Sequence, residues 1–549
     1  MSSDQGAEEF DAVVVGAGFG GLYMIHRLRQ AGRSVRVFEA GGGVGGTWYW
    51  NRYPGARCDV ESLDYSYSFS EDLQQEWEWT ERYAGQPEIL RYLDHVADRF
   101  GLREHIRFDT RVEAATWDEE TARWQVRTSQ GDEVSAHFLV MATGCLSSAN
   151  MPKIDGIYSF AGETYHTGQW PHEGVDFTGK RVGIIGTGSS AVQSIPIIAA
   201  QADQLTIFQR TATYSVPARN GPLDPEEQAT VKATYQAMRE QNRLMPAAFG
   251  ARMKIGEKSA LEVEEEERRR VFEETWDYGG FALMLSFTDL GIDKSANDIA
   301  ADFVREKIHS VVSDPGVADL LTPKQVIGCK RLCLDTNYFE TFNRANVRLV
   351  DVSSAPIEAI TPTGLRTGGE DFEFDAIVFA TGFDAMTGSL SRIDIKGRGG
   401  QTLNEAWHAG PITYLGLGVP GFPNMFTVSG PGSPSVLTNM VVSIEQHVDW
   451  IADCIDYVQS HGHASIEATQ ASADEWVGYV NSVADVTLFP TCNSWYLGAN
   501  VPGKPRVFMP LPGFPPYVEQ CNDVAANNYR GFELRGSGVV GAGVGVGLP

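Results

Sequence analysis

Three glycines near the start of the chain have the types and spacing needed to bind phosphate groups. Gly16, Gly18 and Gly21 stand where an apolar strand turns into a helix. The first allows a tight turn, the second lets a pyrophosphate approach the backbone, and the third lets the helix pack on the strand. The helix N-terminus then faces the phosphates. Glu39 ends the next strand, where its carboxylate can accept from ribose hydroxyls, so this segment predicts a dinucleotide site.

A second glycine cluster follows the same plan, and it reads Gly186-Thr187-Gly188-Ser189-Ser190-Ala191. Its second strand ends in Arg210 and Thr211 instead of an acid. An acid would repel a 2′-phosphate, whereas an arginine pairs with it. We therefore predict that this site binds NADPH in preference to NADH. The alternative is that Arg210 is an ordinary surface charge.

Two dinucleotide sites on one chain suggest hydride transfer from a nicotinamide to a flavin, so the expected cofactors are FAD and NADPH. Disulfide reductases, simple flavin reductases and flavin monooxygenases all fit this pattern. The absence of a Cys-x-x-Cys sequence disfavours the first class. Cys329 and Cys333 have the wrong spacing, and we interpret both as structural thiols. The seven scattered cysteines favour free thiols in a reducing cytosol, and no metal site is expected.

The strands and helices that position these residues indicate an α/β fold. We predict two Rossmann-like dinucleotide-binding domains, one for FAD and one for NADPH, and a helical insertion. Strands are predicted at 12–15, 35–38, 138–141, 182–185, 205–208, 347–350 and 376–379. The predicted division is 1–149 and 384–549 for the FAD domain, 150–217 and 326–383 for the NADPH domain, and 218–325 for the insertion. The Gly/Val-rich tail at 536–549 is predicted to be loosely attached.

The overall charge limits the class of partner. The net charge is −27, which argues against nucleic acid and anionic membranes as partners. The polar, acidic N-terminus is unlike a signal peptide. We expect a cytoplasmic protein, a monomer or small homo-oligomer, whose partners are small molecules.

Residues 160–171 carry the pattern F-x-G-x-x-x-H-x-x-x-W-P, with His166 and Trp170 in it, just before the second glycine cluster. This pattern resembles that of the type I Baeyer–Villiger monooxygenases. Segments 45–59, 330–331, 380–384 and 494–496 extend the resemblance to about residue 532, and the phenylacetone monooxygenase branch is the most similar. In this family a flavin C4a-peroxide, formed with O2, attacks a ketone and yields an ester or lactone.

The resemblance implies that Arg331 is the cation beside the reacting oxygen and that Asp59 pairs with it. Such a site must stabilise developing negative charge and exclude water. The alternatives are that Arg331 is a surface charge or a phosphate contact, and that Asp59 serves a turn or helix cap.

The resemblance also assigns the surrounding residues. It implies that Thr47, Trp48, Tyr65 and Met440 surround the flavin, and that Lys330 joins Arg210 on the 2′-phosphate while Trp495 lies near the nicotinamide. It implies a substrate pocket of Val60, Cys145, Leu146, Leu437 and Met440. Cys145 replaces a larger polar side chain of the phenylacetone branch, so a bulkier cyclic or aromatic ketone could be accommodated. The motif is expected to lie on a linker between the domains, so His166 is expected to act in positioning during cofactor movement and not to transfer a proton.

Two other activities fit the same cofactors. One is a flavin-dependent monooxygenase that acts on sulfur or nitrogen. The other is a non-oxygenating NADPH:acceptor flavoreductase. Trp170 and Pro171 together with Arg331 favour the ketone reaction.

Overall fold

The computed structural model describes residues 8–498 and 513–536. Its strands are β1 Glu8–Val15, β2 Val35–Phe38, β3 Ile106–Arg107, β4 Val112–Asp118, β5 Arg123–Thr128, β6 Glu133–Met141, β7 Glu163–His166, β8 Arg181–Ile185, β9 Gln204–Gln209, β10 Ser215–Pro217, β11 Cys333–Asp335, β12 Val347–Asp351, β13 Ile357–Thr361, β14 Gly364–Thr367, β15 Glu370–Glu373, β16 Ala376–Phe379, β17 Asp394–Lys396, β18 Met425–Thr427, β19 His463–Ala468 and β20 Phe532–Gly536.

The α-helices of the described residues are α1 Phe19–Gln30, α2 Thr47–Trp50, α3 Glu71–Glu76, α4 Gln86–Arg99, α5 Ser189–Gln201, α6 Pro225–Ala233, α7 Tyr235–Leu244, α8 Glu265–Tyr278, α9 Lys294–Val311, α10 Pro315–Leu321, α11 Tyr338–Thr341, α12 Leu403–Ala406, α13 Met440–Ser460, α14 Gln470–Asp485 and α15 Phe514–Ala526. Short 3-10 helices lie at 103–105, 280–285, 398–400, 435–437, 489–491 and 495–497.

The first large sheet carries the first glycine cluster at the end of its central strand. Its order is β17-β4-β5-β6-β1-β2-β3, and β18 also pairs with β6. β6, β1, β2 and β3 run parallel, so the carboxyl ends of these strands meet at one edge. Residues 12–14 of β1 are fully buried because the sheet is covered on both faces. α1 packs on this sheet and against the long helix α13.

The second large sheet carries the second cluster in the same way. Its order is β12-β9-β8-β16-β7, and every pair in it is parallel. β8 leads through the glycine turn into α5, and β9 follows. The predicted α/β fold with two dinucleotide-binding units is confirmed. Each predicted strand is present, and its ends lie within five residues of the predicted ends.

The segment 218–325 is helical, since it contains α6 to α10 and no strand. The charged run at 264–270 begins α8, whose first turns are mostly exposed. The boundaries of the domains themselves remain a prediction. Residues 160–171 differ from the expected linker, because β7 joins the second sheet as an edge strand beside β16. Its His166 backbone therefore belongs to the sheet.

The expectation of free thiols throughout is wrong for two cysteines. Cys329 and Cys492 form a disulfide, with their Cα atoms 6.2 Å apart. The other five cysteines, including Cys145 and Cys333, are buried free thiols. Spacing along the chain could not reveal the pair, since the two residues are 163 positions apart and only the fold brings them together. Of the predicted tail, Gly536 ends β20 and residues 537–549 lie outside the described residues. Over the described chain, no helix is long and apolar enough to cross a membrane.

Candidate active site

One cavity of about 640 Å³ runs from the first glycine cluster to the start of α5. Its size suits a bound small molecule. Predicted site residues on its wall are Gly16, Gly18, Glu39, Thr47, Trp48, Asp59, Val60, Tyr65, Cys145, Leu146, Ser189, Arg331, Met440 and Trp495. The structure thus gathers residues from both nucleotide-binding units around a common space.

The first glycine cluster has the backbone geometry that requires glycine. Gly16 has φ of +103°, and a Cβ there would lie 2.6 Å from the Ala142 carbonyl oxygen. A Cβ on Gly21 would lie 1.9 Å from the Gly16 carbonyl oxygen, which keeps α1 close to its strand. In the described structure no side chain caps α1 at Gly18. The first amides of the helix are therefore available to an anion such as a pyrophosphate.

Glu39 lies at the end of β2 on the cavity wall and is only 5% exposed. Its two carboxylate oxygens accept from the amides of Ala17 and Gly41, each at 2.7 Å. Burial raises the pKa of Glu39, while these hydrogen bonds act in the opposite direction. The carboxylate therefore ties the glycine turn to the second strand and leaves lone pairs for a ribose.

Three polar atoms on the cavity wall are buried without a hydrogen-bond partner among the described residues. They are Asn51 Oδ1, Ser148 Oγ and Ser429 Oγ. Unsatisfied buried polar atoms are costly and call for a partner. A flavin dinucleotide offers such partners, so the residues present fit FAD. Sequence reasoning missed these three, and only Asn51 lies within a motif that could have indicated it.

The expected flavin neighbours lie together on the same wall. Trp48 Nε1 donates to the Tyr65 hydroxyl at 3.2 Å, and Thr47 begins the short helix α2. Met440 is the first residue of α13. The space where an isoalloxazine would lie is therefore bordered by the Trp48–Tyr65 pair, by the start of α2 and by the thioether side chain of Met440.

The second glycine cluster repeats the geometry of the first. Gly186 has φ of +113°, and a Cβ there would lie 2.5 Å from the Ala380 carbonyl oxygen. The N-terminus of α5 at Gly188 is open, with no atom within 4 Å of the position of a Cβ. Thr187 Oγ1 donates to the Thr211 carbonyl at 2.9 Å, and Ser190 Oγ lies 3.1 Å from Thr167 Oγ1. These contacts hold the turn in shape, and no side chain caps the first amides of α5 at Gly188.

Arg210 and Lys330 lie close enough for their charges to interact. Burial, and then the charge of Arg210, lower the pKa of Lys330. Arg210 is exposed and Lys330 is half-buried. The residue after Arg210, Thr211, is hydrogen-bonded to Thr187 of the second glycine cluster. Two neighbouring cations in this position are suited to a phosphate. Neither residue lies on the wall of the cavity.

Arg331 and Asp59 form a bidentate ion pair on the cavity wall. Arg331 Nε lies 2.8 Å from Asp59 Oδ2, and Nη2 lies 2.7 Å from Oδ1. Nη1 donates to the carbonyl oxygen of Val436, and the guanidinium lies 5.2 Å from the ring centre of Phe281. Burial alone would lower the pKa of Arg331, but the charge of Asp59 raises it overall. The cation is permanently charged and fixed in direction.

The expected substrate-pocket residues mostly share one apolar cluster. Cys145, Ala385, Met386, Val436 and Tyr496 are its buried members, and Leu146, Leu437, Met440, Phe489 and Trp495 pack against it. Val60 lines the cavity but belongs to the main core, and Leu437 lies in the cluster without lining the cavity. Burial raises the pKa of Cys145, so this thiol is a neutral, apolar part of the wall.

His166 and Trp170 do not line the cavity, although Gly168 and Gln169 between them do. His166 Nδ1 accepts from the Gly168 amide at 2.9 Å, and its Nε2 lies 3.2 Å from Thr381 Oγ1. Burial lowers the pKa of His166, which keeps the ring neutral. Trp170 is buried and packs against Tyr165 and Phe177. This environment suits the predicted positioning role of His166 better than proton transfer.

Known proteins resemble this chain over nearly its full length. Residues 13–277 match the family model for pyridine nucleotide-disulphide oxidoreductases. The chain is 47% identical over 505 residues to a Baeyer–Villiger monooxygenase of Pseudooceanicola batsensis, which covers 91% of this chain and 92% of that protein. The chain belongs to the Baeyer–Villiger monooxygenase family.

Two solved structures support this assignment. A steroid monooxygenase bound to NADP matches with a TM-score of 0.91 and 56% identity, over 96% of this chain and 99% of that one. A complex of OTEMO with FAD and NADP matches with a TM-score of 0.93 and 43% identity, over 96% and 100% of the two chains. The predicted cofactors and the monooxygenase class are therefore confirmed: the protein is an FAD- and NADPH-dependent enzyme that oxidises ketones to esters or lactones. The roles of individual residues, the cytoplasmic location and the oligomeric state remain predictions.

Proposed function

We propose that Arg331, oriented by Asp59, stabilises the negative charge that develops on oxygen when O2 and the reduced flavin oxidise a bound ketone. The observation that carries this proposal is the bidentate contact of 2.7 and 2.8 Å on the wall of the common cavity. A preorganised cation in a water-poor site stabilises such charge more strongly than water does.

The cofactors supply hydride transfer and oxygen activation when they are bound. The chain supplies the geometry around them. The backbone at Gly16 and Gly18, together with Glu39, would hold the flavin nucleotide. Arg210 and Lys330 would hold the 2′-phosphate of NADPH.

The ketone itself is proposed to lie against the apolar cluster around Cys145. Leu146 and Met440 line the same cavity and are apolar. They therefore favour a ketone with apolar groups beside its carbonyl. The small, neutral Cys145 leaves room in the wall. The match to a steroid monooxygenase also supports a bulky cyclic ketone as the substrate.

Arg331→Ala tests this proposal, with Arg398→Ala as a matched control. The side chains of Arg331 and Arg398 are 20% and 22% exposed, and both are paired with carboxylates, but Arg398 does not line the cavity. For Arg331→Ala we expect NADPH still to reduce the flavin, while ester formation falls by roughly 100- to 1,000-fold, the usual cost of removing such a donor. Ester yield per NADPH and release of H2O2 are measured with a panel of cyclic and aromatic ketones.

The two variants separate a chemical role from a structural one. Arg398→Ala should keep the wild-type ratio of ester to consumed NADPH. Wild-type ester yield in Arg331→Ala would exclude this arginine from the reaction. A sulfide in the same assay distinguishes oxygen insertion beside a carbonyl from heteroatom oxidation.

A further inference from the structure

The Asp59 segment, residues 59–65, carries two buried acids besides Asp59 itself. Glu61 and Asp64 are only 3% and 2% exposed, and neither is on the wall of the cavity that the described residues form. Asp59, Val60 and Tyr65 of the same segment do line that cavity. The contacts of the two buried acids therefore affect where the cavity-lining residues lie.

Glu61 binds two arginines that come from different parts of the chain. Nε and Nη2 of Arg82 donate to Glu61 Oε1 at 3.0 and 2.7 Å. Arg252, in the helical segment 218–325, donates to Oε2. The hydroxyl of Tyr278, in the same helical segment, donates to Oε1 at 3.3 Å. Both carboxylate oxygens are thus occupied, and charged hydrogen bonds join the helical segment to the Asp59 segment.

Asp64 is held from the same side. Asn242 Nδ2 donates to Asp64 Oδ1 at 2.8 Å, and Asn242 Oδ1 accepts from the amide of Ala251 at 3.0 Å. Ala251 directly precedes Arg252, the partner of the other acid. Arg239 also donates to the Asp64 carbonyl at 2.8 Å. One connected set of hydrogen bonds from the helical segment therefore holds the Asp59 segment at both acids.

The backbone on either side of Asp59 is fixed to a neighbouring stretch of chain. The Cys58 amide donates to the Ala84 carbonyl at 3.1 Å, and the Ser62 amide donates to the Arg82 carbonyl at 2.7 Å. Asp59 lies between these hydrogen bonds, and Glu61 lies directly before the second. A shift of Glu61 would therefore reach Asp59 over the single intervening residue.

We propose that Glu61 is a positioning residue: held by Arg82 and Arg252, it fixes the Asp59 segment so that the Asp59 carboxylate stays paired with Arg331. It acts through Asp59 and does not itself touch the ketone. This inference rests on the proposed function of Arg331 and Asp59. It predicts that a weaker contact between the helical segment and Glu61 uncouples NADPH consumption from ester formation.

Arg252→Leu tests the inference, because Glu61 then keeps Arg82 and is not left without a cation. We expect flavin reduction by NADPH within about twofold of wild type, ester per NADPH lowered by roughly 3- to 10-fold, no more than the loss of one direct hydrogen bond to a charged group, and a matching rise in H2O2. Arg252→Lys keeps a cation beside Glu61 and should recover most of the coupling. A crystal structure of Arg252→Leu should show Asp59 displaced from Arg331.

Arg305→Leu is the matched control. Arg305 lies in the same helical segment, and the side chains of Arg305 and Arg252 are 25% and 21% exposed. Arg305 also pairs with a carboxylate, that of Asp302, and its Nε donates to the Pro323 carbonyl at 2.9 Å, outside the Asp59 segment. This variant should lower the thermal midpoint and keep the wild-type ratio of ester to NADPH.

The outcomes separate the role of Glu61 from that of the arginine it serves. Wild-type coupling and an unmoved Asp59 in Arg252→Leu would overturn the inference, as would an equal loss of coupling in Arg305→Leu or no recovery in Arg252→Lys. If Arg331→Ala abolishes ester while Arg252→Leu keeps wild-type coupling, only the role of Glu61 fails. If Arg331→Ala makes ester normally, the proposed function fails as well.

Discussion

Arg210 is the residue expected to decide between the two nicotinamide cofactors. It follows β9 at the surface, and its charge acts on Lys330. The carbonyl of the next residue, Thr211, accepts a hydrogen bond from Thr187 in the second glycine cluster. For Arg210→Ala we expect KM for NADPH to rise by about 10- to 100-fold, the loss of a hydrogen bond to a charged group, with little change for NADH. Steady-state kinetics with both cofactors measures this difference.

Arg348→Ala is a suitable control for that measurement. Arg348 lies on β12 in the same sheet, is exposed and pairs with Glu370. It should leave both KM values unchanged. Equal effects of Arg210→Ala on the two cofactors would contradict the assignment of the 2′-phosphate site.

Single residues differed in how far the sequence could assign them. Arg331 and Asp59 could be paired from motif resemblance, although they are 272 positions apart. The contact of Arg331 with the Val436 carbonyl could not be predicted, because every residue type has a backbone carbonyl that can accept a hydrogen bond. Ser148 and Ser429 were missed for a related reason: serine is common, and only the fold buries these hydroxyls on the cavity wall.

At the scale of elements, local pattern was sufficient for short buried strands. β2 and β16 have the predicted ends, because short buried apolar runs are bounded by turn residues. The edge strand β7 was taken for a linker, since its residues 163–166 do not form a continuous apolar run. Its pairing with β16 depends on tertiary structure and not on local sequence.

The disulfide gives a prediction about the segments that it joins. A Cys329→Ser and Cys492→Ser double variant should be less stable than the oxidised protein by about 2–4 kcal/mol, because a long loop gains freedom in the unfolded chain. Thermal unfolding with and without dithiothreitol tests this. The wild type should lose stability in the reductant, the double variant should not respond, and an unchanged wild type would show that the bond adds nothing to stability.

At the scale of the whole molecule, the net charge of −27 affects thermal stability. Excess acidic groups repel one another in the compact state, and salt screens this repulsion over about 10 Å at 0.1 M. We therefore expect the thermal midpoint to rise between low salt and about 0.15 M NaCl, near physiological ionic strength. A fall in the midpoint would mean that the many ion pairs outweigh net repulsion.

The link between Cys329 and Cys492 also determines how the protein behaves when its backbone is cut. A protease that cleaves one peptide bond between these residues leaves two fragments that are still joined by the disulfide. Such nicked material would run as one band on a gel without reductant and as two bands with it. Arg331 lies between the two cysteines. After a single cut elsewhere between them, the disulfide therefore keeps the piece that carries the arginine attached to the other piece.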